Sequence, residues 1–280
     1  MPDPQQIPYL LRLLEDDSPE VRDAVLGQFA AFGSSLEDHL EVLGSSLREQ
    51  HRLLIDGLLR VGRRKLLREQ LVALDPLTDD KMILEAGLQA VSVFLQRPRS
   101  ADTVSRLLDD LAREFRESQC EKDVFALSEF LFHTKHLRGA RNTYYNPQNS
   151  NLMYVLVKGQ GLPISLACIY ILVASRCGLR VEGCNLPGHF LALGYHHGKR
   201  FVVDCYNGGV VLLDSDLARL SSVAPVNTSD LGALECRAQV ILARVLRNIA
   251  NALRRIDDEN TAEDAEAVEN ILQQFSPPKE

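Results

Sequence analysis

The sequence predicts an α+β fold: helices first, then a small antiparallel sheet, then helices again. Three observations carry this. Apolar residues recur at helical spacing up to about residue 136. Between Val181 and Leu213 the pattern shortens to apolar runs cut by glycine-rich turns. Beyond about residue 229 the helical period returns. Helices and strands segregated along a chain, rather than alternating, mark the α+β class.

IPYLLRLL gives a short amphipathic helix from about Ile7 to Leu14. A second starts at DDSPE, where Ser18 is placed to cap, Pro19 takes the first helical position and Glu20 stands behind it. Val21, Ala24, Val25, Phe29 and Phe32 then share a face, and Gly33 stops the helix. Leu36, Leu40, Leu43, Leu47 and the stretch HRLLIDGLLRVG continue the rhythm. Two helices joined by D-S-P-E-V-R resemble a HEAT-type repeat. Residues 1–76 therefore read as a helical segment, either a docking surface or a packing extension of the core domain. The basic run Arg60, Arg63, Arg64, Lys65 and Arg68 reads as the wet face of a helix.

DPLTDD is a break, with Thr78 positioned to cap the helix MILEAGLQAVSVFLQ. Further helices are expected over residues 102–117 and 121–136. RGARNTYYNPQNSNL is then too polar and turn-rich for a regular element. A helix over 163–176 precedes the strands HFLALGY and KRFVVDCY, which His197 and Gly198 join in a tight hairpin, and VVLLD adds a third strand. In the tail, LGALECRAQVILARVLRNIANALRRI places Leu234, Ala238, Ile241, Leu242, Val245, Leu246, Ile249 and Leu253 on one helical face. DDENTAEDAEAVENILQQF makes a second helix, and SPPKE a frayed end. The expected divisions are residues 1–76, 77–228 and 229–280.

Composition narrows the function. The 280 residues are 45% hydrophobic and 25% charged, ordinary for a soluble globular protein, and the net charge of -7 argues against a nucleic-acid partner. Six cysteines (Cys120, Cys168, Cys177, Cys184, Cys205 and Cys236) show no C-x-x-C pairing, so reduced thiols in the cytoplasm are expected. MPDPQQIPYLL lacks the features of a signal peptide, and the longest apolar run, near residues 166–174, is too short to cross a membrane. His196 and His197 lie in the hairpin turn without the further ligands a metal would need. No cofactor is expected.

The residues able to do chemistry cluster in the middle third. A hairpin can bring His189 and Asp204 face to face, and a carboxylate bonded to an imidazole fixes its tautomer and stabilises its charged form. GLPISLACIYILVASRCGL, residues 161–179, opens like the nucleophile-bearing helix of a thiol enzyme, whose N-terminus and neighbouring imidazolium depress a thiol pKa.

GLPISLACIYILVASRCGL followed by PGHFLALG and FVVDCYNGG resembles the transglutaminase-like (papain-like) core. More narrowly it resembles the SirB-type proteins, named from a bacterial invasion-gene regulator. RNTYYNPQNSNLMYVLVKGQGLPISLACIY, MILEAGLQAV and LSEFLF extend the likeness over roughly residues 77–215, and ILARVLRNI is similar to the tetratricopeptide-like helices that close longer members. The resemblance implies that His189 and Asp204 hold the histidine and aspartate positions of the catalytic set. The nucleophile position falls on Pro163. Proline suits the first turn of a helix but offers no nucleophile.

Substitutes for the thiol are weak. Cys205 should point to the opposite face from Asp204. Cys168 lies about 7.5 Å along the helix from Pro163. Ser165 has a base only if His189 reaches it. Asn142, Tyr145, Asn149 and Ser150 either pin turns through their own backbone or wall the cleft beside His189.

Three functions compete. The first is a non-enzymatic interaction module with a retained His–Asp pocket, taking a protein partner at its helical termini and a small ligand or peptide in the cleft. The second is a cysteine-independent hydrolase or acyltransferase using His189 and Asp204. The third, direct DNA contact, runs against the acidic charge.

Overall fold

The computed structural model describes residues 3–14, 16, 18–32, 49–95, 103–118, 121–186, 188–213, 216–217 and 235–275. Gly33, Leu36, Leu40, Leu43, Leu47, Cys120, Leu234 and the SPPKE end lie outside them. The chain divides into two compact units, Met1–Glu69 and Gln70–Glu280.

In the first unit a 3-10 turn, Pro4–Gln6, leads into α1 (Ile7–Leu13), and α2 spans Pro19–Phe32. The expected cap is in place: the Ser18 hydroxyl accepts from the Val21 N–H at 3.4 Å and donates to Glu20 at 2.5 Å. Ile7, Leu11 and Leu14 bury against Val25, Phe29 and Phe32. Ala24, expected on that face, is exposed, because the buried stripe runs through residues 25, 29 and 32. α3 (Glu49–Val72) comes next.

The second unit takes in the last turn of α3, from Gln70, and continues with α4 (Asp80–Leu95). Its cap is Asp79 rather than Thr78. The Asp79 carboxylate accepts from the Lys81 and Met82 N–H groups at 2.8 and 2.9 Å, the reach of a residue directly before the first helical turn. α5 (Val104–Ser118) starts after Thr103, whose hydroxyl accepts from the Arg106 N–H at 3.2 Å. α6 (Val124–Glu129) starts after Asp123, which caps Phe125 and Ala126. It runs into one wide turn, Phe130–Thr134, closed by the Lys135 N–H on the Phe130 carbonyl at 2.8 Å.

β1 (Arg138–Gly139) and β2 (Gln160–Gly161) form a two-residue parallel ladder, with α7 (Leu152–Lys158) between them. α8 (Pro163–Arg176) is the central helix: every side chain from Ile164 to Ala174 is buried, as suits a helix that is apolar all round. Burying that stretch contributes about 1.5–3 kcal/mol for each large apolar side chain. Tyr170, inside it, donates its hydroxyl to the Val124 carbonyl at 2.6 Å.

The sheet is antiparallel, ordered β6-β5-β4-β3-β7: β3 Val181–Cys184, β4 Leu191–His196, β5 Lys199–Asp204, β6 Val210–Leu212 and β7 Glu235–Cys236. His197 (φ 47°) and Gly198 (φ 75°) are both left-handed, the turn that a two-residue hairpin needs. One face carries Gly194, His196, Phe201 and Val203. Phe125 of α6 stacks edge-on against Phe201 and His196 on that side, and the Tyr170 hydroxyl approaches Gly194. The other face buries Cys184, Leu191, Leu193 and Val202 with Leu186 and Leu217.

The tail differs from a single helix beginning at LGALEC. Glu235 and Cys236 are extended, because Cys236 pairs with Gly183 and the Tyr195 hydroxyl donates to Glu235 at 2.8 Å. α9 (Ala238–Leu253) begins after them and packs on α4, Leu242 lying against Gly87. α10 (Glu259–Phe275) pairs with α9, fastened by Arg254 to Glu269 at 2.5 and 2.7 Å. Among the described residues no helix is long and apolar enough to cross a membrane.

Candidate functional site

The site forms where two sheet loops meet the start of α8 and one flank of α9. Pro163 occupies the first turn of α8, after Leu162, and is half-buried. The β1–β2 ladder feeds this end of the helix. The Tyr206 ring packs so closely on Gly139 that a Cβ there would meet it at 2.5 Å, which brings the loop after β5 beside that ladder.

Asp204 ends β5 and is buried. Its Oδ1 accepts from the Tyr206 and Asn207 N–H groups, both at 3.1 Å, and its Oδ2 from the Asn207 side-chain amide at 2.7 Å. The Gly209 N–H closes the loop on the Asp204 carbonyl at 2.9 Å. Asn207 in turn accepts from Arg141 at 2.7 Å. The carboxylate thus holds a turn. By strand alternation it shares the face of Val202, while Cys205 points with Val203 toward α8.

His189 lies before β4, which begins at Leu191, and it is exposed. Its backbone N–H bonds the Leu186 carbonyl at 2.9 Å in a turn that needs Gly188 at φ 79°. Among the described residues its imidazole has no hydrogen-bond partner, and no bond joins it to Asp204. The structure brings the two loops to one region without joining the two side chains.

The remaining candidates separate. Asn149 is buried and donates to the Thr143 and Tyr144 carbonyls at 2.5 and 3.3 Å, holding the 142–146 loop in shape. Ser165 is buried and donates to the Asn149 carbonyl at 2.8 Å. Ser150 is buried, and its hydroxyl lacks a hydrogen-bond partner among the described residues. Asn142 is exposed, and so is Tyr145, whose ring lies 3.8 Å beneath the Arg255 guanidinium.

Burial pushes every described thiol upward: Cys184 to about 11, Cys236 to about 12, and Cys168, Cys177 and Cys205 in the same direction. Among the described residues no three His, Cys, Asp or Glu side chains converge to hold a metal ion.

Sequence reasoning missed the residues that wall this region: Arg244, Phe190, Tyr144, Tyr206, Asn207 and Arg141. Arg244 fastens Asn185 and Leu186 ahead of β4, its Nη1 donating to Asn185 Oδ1 and to the Leu186 carbonyl at 3.4 Å, with its guanidinium 5.5 Å from the Phe190 ring. The Tyr144 ring centroid lies 6.2 Å from that of Tyr206, and the Tyr144 hydroxyl is near enough to Arg244 to act on it electrostatically. One signal was present: Arg244 is the sole charged residue in the apolar run Val240–Leu246.

A groove also lies elsewhere on this unit. About 540 Å³ opens between α4, α5 and the far end of α8, lined by Lys81, Met82, Glu85, Thr103 and Arg176. Its charges are already spent, Arg176 on Glu85 and Asp109 and Lys81 on Glu182. Arg176 sits about 20 Å along α8 from Pro163. Size alone does not make it the site.

Residues 102–247 match the family described as the transglutaminase-like superfamily. Two proteins of Xylella fastidiosa, each named "UPF0162 protein", are similar to the chain. That of strain Temecula1 is 30% identical over 185 residues, covering 61% of this chain and 66% of the relative. That of strain 9a5c is 31% identical over 179 residues, covering 58% and 63%. The chain therefore spans just under two thirds of the length of these curated relatives. F-box only protein 21 of Homo sapiens is 35% identical over 66 residues, 24% of this chain and 10% of that protein. No solved structure matches the chain. The family match covers more than half of the chain and takes in α8, the whole sheet and the start of α9, so the protein belongs to the transglutaminase-like superfamily.

Proposed function

We propose that the protein is a non-catalytic, SirB-type member of this superfamily, a regulatory binding module in which Pro163 replaces the nucleophilic cysteine. The observation that carries the reading is the state of the thiols. A thiol enzyme depends on a thiolate, yet burial raises all five described cysteines away from ionisation. Two further observations support it. Ser165 spends its hydroxyl on a carbonyl inside the core, and Asp204 spends its carboxylate on its own loop. In this reading the HEAT-like N-terminal helices and the tetratricopeptide-like C-terminal pair dock a protein partner in the cytoplasm, and the cleft takes a small ligand or peptide.

The test is chemical profiling with thiol- and serine-directed probes, alongside amide-hydrolysis and acyl-transfer assays on wild type and His189→Ala. The reading predicts no selectively labelled residue and no turnover in either protein. Turnover that disappears in a folded His189→Ala chain overturns it in favour of a cysteine-independent hydrolase or acyltransferase.

A further inference from the structure

We infer that the open edge of Arg244, at the turn that leads to His189, receives a carboxylate of a peptide chain; the assignment rests on the binding-module reading above. Two arginines of one unit stand in contrast. Arg176 is shielded from solvent and is met by Glu85 and Asp109 at 2.8 and 2.6 Å. Arg244 is also half-buried, yet among the described residues no acidic side chain meets it. A charge withdrawn from water without a counter-ion is costly, so a fold that keeps one has a use for it.

Geometry defines what it would take. Nη1 is committed to Asn185 and the Leu186 carbonyl, which fixes the plane of the guanidinium. Nε and Nη2 have no partner among the described residues, so one two-donor edge stays open. That edge matches the two oxygens of a carboxylate. Burial lowers the Arg244 pKa from its ordinary value; the Tyr144 hydroxyl and Cys236 act against this, and Arg247 on the next turn adds to it. A bound anion would relieve both the burial and the repulsion.

The surroundings favour a peptide. The exposed Tyr144 and half-buried Tyr206 supply flat apolar faces with hydroxyl edges, suited to side chains and peptide planes, while the buried Phe190 backs the guanidinium from within. Arg141, held by Asn207 beyond Tyr206, also lacks an acidic partner among the described residues and would steer the same charge. The chain's overall charge of -7 repels an extended polyanion at long range, whereas one carboxylate is paired locally.

The experiment titrates the full chain with N-acetyl-Phe-Glu, with its doubly amidated analogue (N-acetyl-Phe-Gln-amide) and with inorganic phosphate, monitored by amide NMR. The acid should shift residues 185–190 and 141–145, and the amidated analogue should not. Arg244→Gln should weaken the acid roughly tenfold or more, with Arg244→Lys between them, since lysine keeps the charge but not the fork. The exposed Arg141→Gln, which leaves the core untouched, should weaken it less. Absence of binding, equal affinity in a folded Arg244→Gln chain, or phosphate binding more tightly than the acid overturns the assignment. Cleavage of a bound peptide amide by wild type would instead overturn the non-catalytic reading while leaving the Arg244 assignment standing.

Discussion

The side-chain amide of Asn207 donates to Asp204 Oδ2 at 2.7 Å, so the carboxylate expected to orient a histidine is instead held by its own loop. Two backbone N–H groups occupy its other oxygen. This loop is seated through Tyr206 on Gly139, in the β1–β2 ladder that leads into α8.

Asp204→Ala should therefore act mainly on stability. It removes three hydrogen bonds from a buried acceptor and leaves two loop N–H groups to find water. A loss of about 2–4 kcal/mol is expected in urea unfolding. A fully stable variant would contradict the structural role.

Two adjacent glycines separate backbone strain from packing. Gly208 (φ 83°) has open space where a Cβ would go, so Gly208→Ala should lose only about 1–2 kcal/mol, the cost of a left-handed alanine. At Gly209 (φ 73°) the same Cβ would overlap Phe132 and the Ser128 hydroxyl, which donates to the Gly209 carbonyl at 3.1 Å. Gly209→Ala should lose roughly 3 kcal/mol or more, because overpacking adds to strain. Equal melting temperatures for the two variants would refute the close approach.

Stability should fall on the alkaline side. The unfolded chain releases thiol protons near the ordinary value of 9.0, whereas folded Cys184 and Cys236 hold theirs to about 11 and about 12. Above pH 9 the unfolded state binds fewer protons than the folded one, so the stability these thiols contribute, complete below pH 9, declines as pH rises. Each thiol steepens the decline by up to about 1.4 kcal/mol per pH unit. Urea titrations at a series of pH values should show a shallower slope for Cys184→Ala between pH 9 and 11, whatever its stability at pH 7. An unchanged slope would contradict the burial of that thiol.

Pro163→Cys tests the start of α8. A thiol placed at a helix N-terminus gains thiolate character. Iodoacetamide should label it faster than any native cysteine, with no amide hydrolysis appearing. Labelling no faster than Cys177 would mean that this helix end does not activate a thiol.

Much of the fold was legible because local chemistry dictated it. Ser18–Pro19 announced α2, the apolar run from Ile164 announced the buried helix, and His197-Gly198 announced the hairpin. What was hidden depended on distant partners. VEGC is too short and polar to read as a strand, yet as β3 it lies between β4 and β7. Glu235 and Cys236 sit in a helix-like string and are extended by β3 and Tyr195. At the site, motif order placed His189 and Asp204 in facing loops but could not reveal that Asn207 occupies the carboxylate. Nor could helical periodicity show that Arg244 leaves the apolar stripe of α9 to clamp the loop before β4.

Asp204 serves its own loop rather than His189. A double-mutant cycle in urea unfolding measures this most directly, pairing Asp204→Ala once with Asn207→Ala and once with His189→Ala. The structure predicts a coupling of about 1 kcal/mol or more with Asn207, and additivity to within about 0.3 kcal/mol with His189. Strong coupling to His189 with none to Asn207 would contradict it.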